Sequence, residues 1–104
     1  MILDSLSVLN LYHCNQNQHN KVWGTCMHGN NWWAFWGGIN KSWSFKHHGV
    51  DSASIVLDLS DLASSKVRKG YHQISLAQMD ELDATWRDRF NERFTYFVLL
   101  HTPT

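Results

Sequence analysis

Five of the six tryptophans fall between Trp23 and Trp43, in a window punctuated by Gly24, Gly29, Gly37 and Gly38. Side chains this large dominate any core they enter. Where they alternate with small or polar residues, the period is two. Lys21 to His28 sets Val22, Gly24 and Cys26 against Trp23, Thr25 and Met27, which predicts a strand. His28-Gly29-Asn30-Asn31 has turn chemistry, because Gly and Asn tolerate positive φ. Trp32 to Trp36 then reads as the return strand of a hairpin, ended by Gly37-Gly38. Ile39 to Lys46 reads as a further strand with Trp43 and Phe45 on one face. Upstream, Leu6 to His13 is expected to be extended, and the polar run Cys14 to Asn20 to be a loop.

After Gly49 the period changes. Asp51 or Ser52 can cap a helix that runs to about Lys69, with Val56, Leu59, Ala63 and Val67 on one stripe and Ile55 and Leu62 widening it. Lys66, Arg68 and Lys69 crowd its end, where the helix dipole favours cations, and Gly70 supplies a stop. Tyr71 to Ile74 is a short extended piece. Ser75 can cap a second helix whose Leu76, Met79, Leu82, Trp86, Phe90 and Phe94 keep helical spacing. Thr95 to Leu100 fits helix or strand equally. The charged residues from Asp80 to Arg93, among them Asp83, Arg87, Asp88, Arg89 and Glu92, read as a solvated helix face. The fold class is therefore α+β: a twisted antiparallel sheet of four or five strands, one packed helix and a C-terminal amphipathic helix. At 104 residues, one core is expected, with residues 1–75 as its body and 76–104 as an extension packed on it.

Charge is unevenly spread. Nine Lys and Arg balance nine Asp and Glu, which excludes a polycation or an acidic tail. Yet Ser5 to Val50 contains no acid, while Asp51 onward holds six basic and eight acidic residues. A basic, aromatic half points to an anionic partner, or to a tryptophan core with solvated lysines. Met1 to Asp4 does not open a signal peptide, and Tyr96 to Leu100 is too short to span a membrane, so no membrane partner and a cytoplasmic location are expected.

Three pieces in order carry a family resemblance. They are Asn20-Lys21-Val22-Trp23-Gly24, then Phe35-Trp36-Gly37-Gly38-Ile39 with Lys41-Ser42-Trp43-Ser44-Phe45, then Ser65-Lys66-Val67-Arg68-Lys69-Gly70-Tyr71. The set, spanning roughly Leu6 to Ile74, resembles the WGR domain of DNA-dependent poly(ADP-ribose) polymerases and of short bacterial proteins. The resemblance implies a twisted sheet crossed by one helix and contact with a DNA end, with the signature Trp packed on a terminal sugar and basic residues on phosphates. By position, the signature Trp is Trp36 and the signature Gly is Gly37. Gly38 stands where the family has Arg, and Asn40 where it usually has Gly. Loss of that Arg removes the fork-shaped phosphate donor of the motif.

Trp36, beside two glycines, can stack on a ligand or simply fill the core. Trp32 and Trp33 are neighbours on a strand and point to opposite faces, so one should be exposed. Trp23, Phe35 and Trp43 are expected in the core. Lys21, Lys41 and Lys46 can replace the missing Arg as phosphate contacts, or be solvated. Lys66, Arg68 and Lys69 form a candidate second basic patch. His13, Cys14, Cys26 and His28 hold two soft and two imidazole ligands, but lack a Cys-x-x-Cys knuckle, and zinc is the disfavoured reading. No catalytic grouping is present in the sequence, so no cofactor and no enzymatic activity are expected. The expected function is a nucleic-acid-binding module for a DNA end or single strand. The alternative is a protein-interaction module, inhibitor or adaptor that has lost nucleic-acid binding, with the Leu76 to Phe94 helix available for a homodimer.

Overall fold

The computed structural model describes residues 1–16 and 19–101. A five-stranded antiparallel sheet carries helices on both faces. Its strands are β1 (Val8–Gln16), β2 (His19–His28), β3 (Asn31–Gly38), β4 (Ser44–Val50) and β5 (His72–Ile74), in the spatial order β4-β3-β2-β1-β5. The helices are α1 (Ala53–Arg68), α2 (Leu76–Leu82) and α3 (Trp86–His101), and a single 3-10 turn spans Ile2–Ser5.

Consecutive pairing across β1, β2, β3 and β4 makes a meander. Tyr12 opposes Trp23, Trp23 opposes Trp36, and Trp36 opposes Ser44. The β1 and β2 strands are longer than the sequence suggests. Cys14 to Gln16 and His19 to Asn20 belong to the ladder rather than to a loop, while 17 and 18 lie outside the described residues. A polar run can extend when its backbone groups are paired with a neighbouring strand.

The alternation divides the sheet into two faces. One holds Leu11, Val22, Cys26, Trp33, Phe35, Phe45 and Ile74, all buried. It is covered by Met79 of α2 and by Trp86, Phe90 and Phe94 of α3. Phe90 stands edge-on to Phe35 at 5.2 Å and to Phe45 at 5.1 Å, and Phe94 stacks on Phe45 at 4.9 Å. Trp43, expected in a strand, sits in the loop before β4 instead. There its ring lies parallel to Phe35 and nearly so to Trp86, with centroids 5.7 and 5.8 Å away. Gly37 makes room for it, since a Cβ there would meet the Trp43 ring at 2.2 Å.

The C-terminal segment is not one helix. Asp83 is extended (φ −152°, ψ 94°) and separates α2 from α3, and Thr95 to Leu100 continues α3. Nor is Asp83 part of a solvated face. It is buried and accepts hydrogen bonds from the Arg89 guanidinium and from the Asn40 amide at 2.8 Å. Four members of the apolar stripe, Met79, Trp86, Phe90 and Phe94, are buried against the chain's own sheet. The face expected to offer a homodimer contact is therefore occupied within the chain, leaving Leu76 exposed. Among the described residues, no helix is long and apolar enough to cross a membrane.

The other sheet face carries α1. Ser52 caps it, its side chain accepting from the Ile55 amide, and Gly70 follows its end at φ +101°. Within α1, only Leu59 is buried.

Candidate nucleic-acid interface

Trp36 is the last large side chain on β3 before the glycines. It stands on the α1 side of the sheet, opposite Trp23, and is 43 % exposed, the most exposed of the tryptophans. The turn after it is fixed from below. The Trp43 indole donates to the Gly38 carbonyl at 3.0 Å, the Lys41 amide bonds back to the same carbonyl at 3.2 Å, and Arg89 donates to the Lys41 carbonyl at 3.1 Å. Asn40 takes the left-handed conformation, φ 61°, and its amide is held by Asp83. Burial works to raise the Asp83 carboxyl's pKa. The Arg89 side chain and the Asn40 and Thr85 amides outweigh it and hold the group below its ordinary range, so it stays charged beneath the turn.

Lys21 of β2 pairs with Gly38, and Lys66 arrives from the last turn of α1. The Lys66 ammonium lies 5.9 Å from the Trp23 ring centroid and 5.5 Å from that of Tyr71, within cation–π range. Together Lys21, Trp36, Gly37, Gly38, Lys66 and Tyr71 line an open cleft of about 270 Å³. No carboxylate lines it. Burial, followed by the positive charges of Lys69 and Lys21, lowers the Lys66 pKa. Among the described residues, none of these three lysines forms an ion pair. The C-terminal dipole of α1 supplies only about half a negative charge to offset three cations. The cleft thus presents an aromatic face and surplus positive charge together.

The sequence pattern sets Lys66, Arg68 and Lys69 apart from Trp36 as a second patch. The structure joins Lys66 to the Trp36 site and sets Lys69 close enough to act on it, while Arg68 is exposed and does not line the cleft. A signal was present: Lys66 falls eleven residues after Ile55 and seven after Leu59, on the stripe that faces the sheet. Tyr71 was missed as a site residue and had no comparable signal. Lys41 flanks the turn, its stem 3.1 Å from where a Gly38 Cβ would sit, but does not line the cleft. Lys46 shares the sheet face, opposite Ala34, and lies nearer His48, whose pKa its charge helps to lower after burial. Trp33 is buried at 3 % exposure beneath α3 and cannot serve as a stacking platform. Trp32 is half-buried, with its indole donating to Asp51 at 2.8 Å.

The candidate metal ligands are not brought together. His13 opposes Val22 and Cys26 opposes Leu9, four residues apart along β1, and Cys14 points to the opposite face from His13. Burial pushes the Cys26 thiol pKa far up, against the thiolate a metal needs. Among the described residues, no three His, Cys, Asp or Glu side chains form a metal-ligand group. No protein-family model, no curated protein and no solved structure matches the chain.

Proposed function

We propose that this chain is a non-enzymatic module that binds the end of a nucleic acid or a short single strand in the Trp36 cleft. The observation that carries the reading is the union of one exposed indole with Lys21 and Lys66, whose charges no acid offsets. Trp36 offers its face to a sugar or base, and stacking of this kind contributes about 1–3 kcal/mol. Lys21, Lys66 and Lys69 meet phosphates as point charges, a contribution that weakens as salt rises. The ordered motifs that resemble the WGR domain support the same placement, with Lys66 supplying charge where Gly38 has none.

The test is fluorescence anisotropy with a labelled blunt duplex and a labelled single strand at two salt concentrations. Binding should weaken steeply with salt, and Lys66→Ala should reduce both the affinity and the salt slope. Absence of binding to both probes at low salt overturns the reading. A second reading, a protein-interaction module, is favoured by the apolar side chains exposed near the end of α3: Tyr96, Leu99 and Leu100. Its mark would be a complex indifferent to salt and to Lys66→Ala.

A further inference from the structure

A second cavity, of about 350 Å³, lies between α1 and the sheet, beside β5 rather than beside β4. Its chemistry is unlike that of the Trp36 cleft. No charged side chain lines it. Its floor is a row of amides and a hydroxyl across three adjacent strands: Gln73 on β5, Asn10 on β1 and Thr25 on β2. Tyr12 and Trp32 line it as well, and Leu59 of α1 lies on the helix side.

A helix normally packs on an apolar sheet face, and polar groups placed there need partners. Here the row is only partly self-satisfied. Gln73 donates to the Asn10 carbonyl at 3.5 Å, and Asn10 donates to the Thr25 hydroxyl at 3.2 Å. Each amide carries two N–H donors and a two-lone-pair carbonyl. One Asn10 N–H, one Gln73 N–H, the Gln73 carbonyl and the Thr25 O–H are therefore left to bond outward. The row presents donors and an acceptor side by side, without charge, next to aromatic rings. Trp32 is anchored by its bond to Asp51, so its ring is held in place. Size, neutral convergent polar groups and aromatic walls are the attributes of a small-molecule site.

We propose that this cavity binds an uncharged nucleobase, as a free nucleoside or as one unit of a strand. The mixed donor–acceptor edge of a base matches the Gln73, Asn10 and Thr25 row, and its flat faces match Tyr12 and Trp32. A phosphate finds no cation here, and a purely apolar ligand would strand the amides. The site is distinct from the Trp36 cleft and does not require it.

The test is NMR titration of the intact chain with uridine, cytidine, adenosine and guanosine, using methyl glucoside as a neutral sugar control. At least one nucleoside should saturate with Kd on the order of 1 mM, shifting the Trp32 indole N–H and the Asn10 and Gln73 side-chain amides. Gln73 is exposed, so Gln73→Leu keeps the fold and should weaken binding severalfold. Asn10→Leu removes the centre of the row and should weaken it roughly tenfold. The Trp36 indole N–H should stay unmoved through the titration, which separates this result from any outcome at the Trp36 cleft; shifts centred on Trp36 instead of Trp32 overturn the proposal. Failure of all four nucleosides to saturate overturns the proposal. So does equal binding of methyl glucoside, or wild-type affinity in a folded Gln73→Leu variant.

Discussion

The two faces of one sheet are built differently. Beneath α3 the strands present Trp33, Phe35 and Phe45, and the helix answers with Trp86, Phe90 and Phe94, all buried. Beneath α1 the same strands bury one indole, Trp23, with Ala34 and Thr25, and otherwise present Trp32, Trp36, Asn10, Lys21 and Lys46, and the helix answers with one buried side chain, Leu59. Alternation along β3 alone makes the point, since Trp33 is 3 % exposed and Trp36 is 43 % exposed. The α3 face stabilises the chain by burying aromatic area, worth roughly 25 cal/mol per Å². The α1 face keeps clefts, polar rows and surplus charge, which suit recognition better than stability.

Truncating one buried side chain on each face should show the difference in packing directly. Phe90 touches Phe35, Trp43, Phe45, Trp86 and Phe94. Phe90→Ala should cost about 3–5 kcal/mol, as large aromatic truncations in packed cores do. Leu59→Ala should cost at most the lower end of the buried-leucine range, about 2 kcal/mol, because water and side chains can enter the space under α1. Urea denaturation measures both. Equal losses would mean that α1 is packed as tightly as α3 and that the α1 face is no recognition surface.

Next in size are changes whose main effect should fall on binding. Trp36→Ala should lower affinity for a labelled strand by a stacking contribution of about 1–3 kcal/mol, and should lower the melting temperature as well, because Trp36 is only 43 % exposed and its covered part stabilises the fold. Gly38→Arg adds a fork-shaped donor beside the cleft. Gly38 is not among the residues at positive φ, and its added Cβ would meet only the flexible stem of Lys41, so the substitution fits the turn. It should tighten phosphate binding by roughly tenfold or more, as charge-assisted hydrogen bonds do. A folded Gly38→Arg variant with unchanged affinity would show that phosphates do not reach the turn.

Much of this division was legible in the sequence, and what was not has a common cause. The alternation in β2 and β3, the Ser52 cap, the Gly70 stop and the opposed directions of Trp32 and Trp33 are local signals, and each is present in the structure. The break at Asp83 was not legible, because the helical spacing of apolar residues runs through it. One partner at the break is distant in sequence: buried Asp83 accepts from the Asn40 amide, 43 residues away, as well as from nearby Arg89. Trp43 leaves the strand for the same kind of reason, the stacking of its ring between Phe35 and Trp86. At the site, Trp36, Gly37, Gly38 and Lys21 are neighbours through strand pairing and could be read together. Lys66 joins them only because α1 crosses the sheet, which periodicity hints at but does not aim.

The dry α3 face ends at a cluster of histidines, and pH tests where. At the far end of α3, His47 packs against Trp33 at 4.9 Å and against His101 at 5.3 Å, and one ring nitrogen bonds to the Asn31 side chain at 2.9 Å. His28 lines the same cavity, of about 280 Å³, with no acid among its walls. Burial, then the positive charge of His101, lowers the His47 pKa below its ordinary value near 6.5. His48 shifts the same way through burial, Lys46 and His47, with Asp58 opposing. A depressed histidine pKa means that the unfolded chain binds more protons just below pH 6.5, so stability is full above that pH and falls as the pH drops through the folded value. Melting temperature should therefore decline as the pH falls below about 6.5, ahead of any carboxylate titration. His47→Gln, which keeps a hydrogen-bonding group for Asn31, should flatten part of that decline without lowering the melting temperature at pH 8. If the pH profile of His47→Gln overlays that of the wild type, the rim of the α3 face is solvated enough to accept the charge. The boundary between the dry and open regions would then lie inside the sheet, short of His47, rather than at its edge.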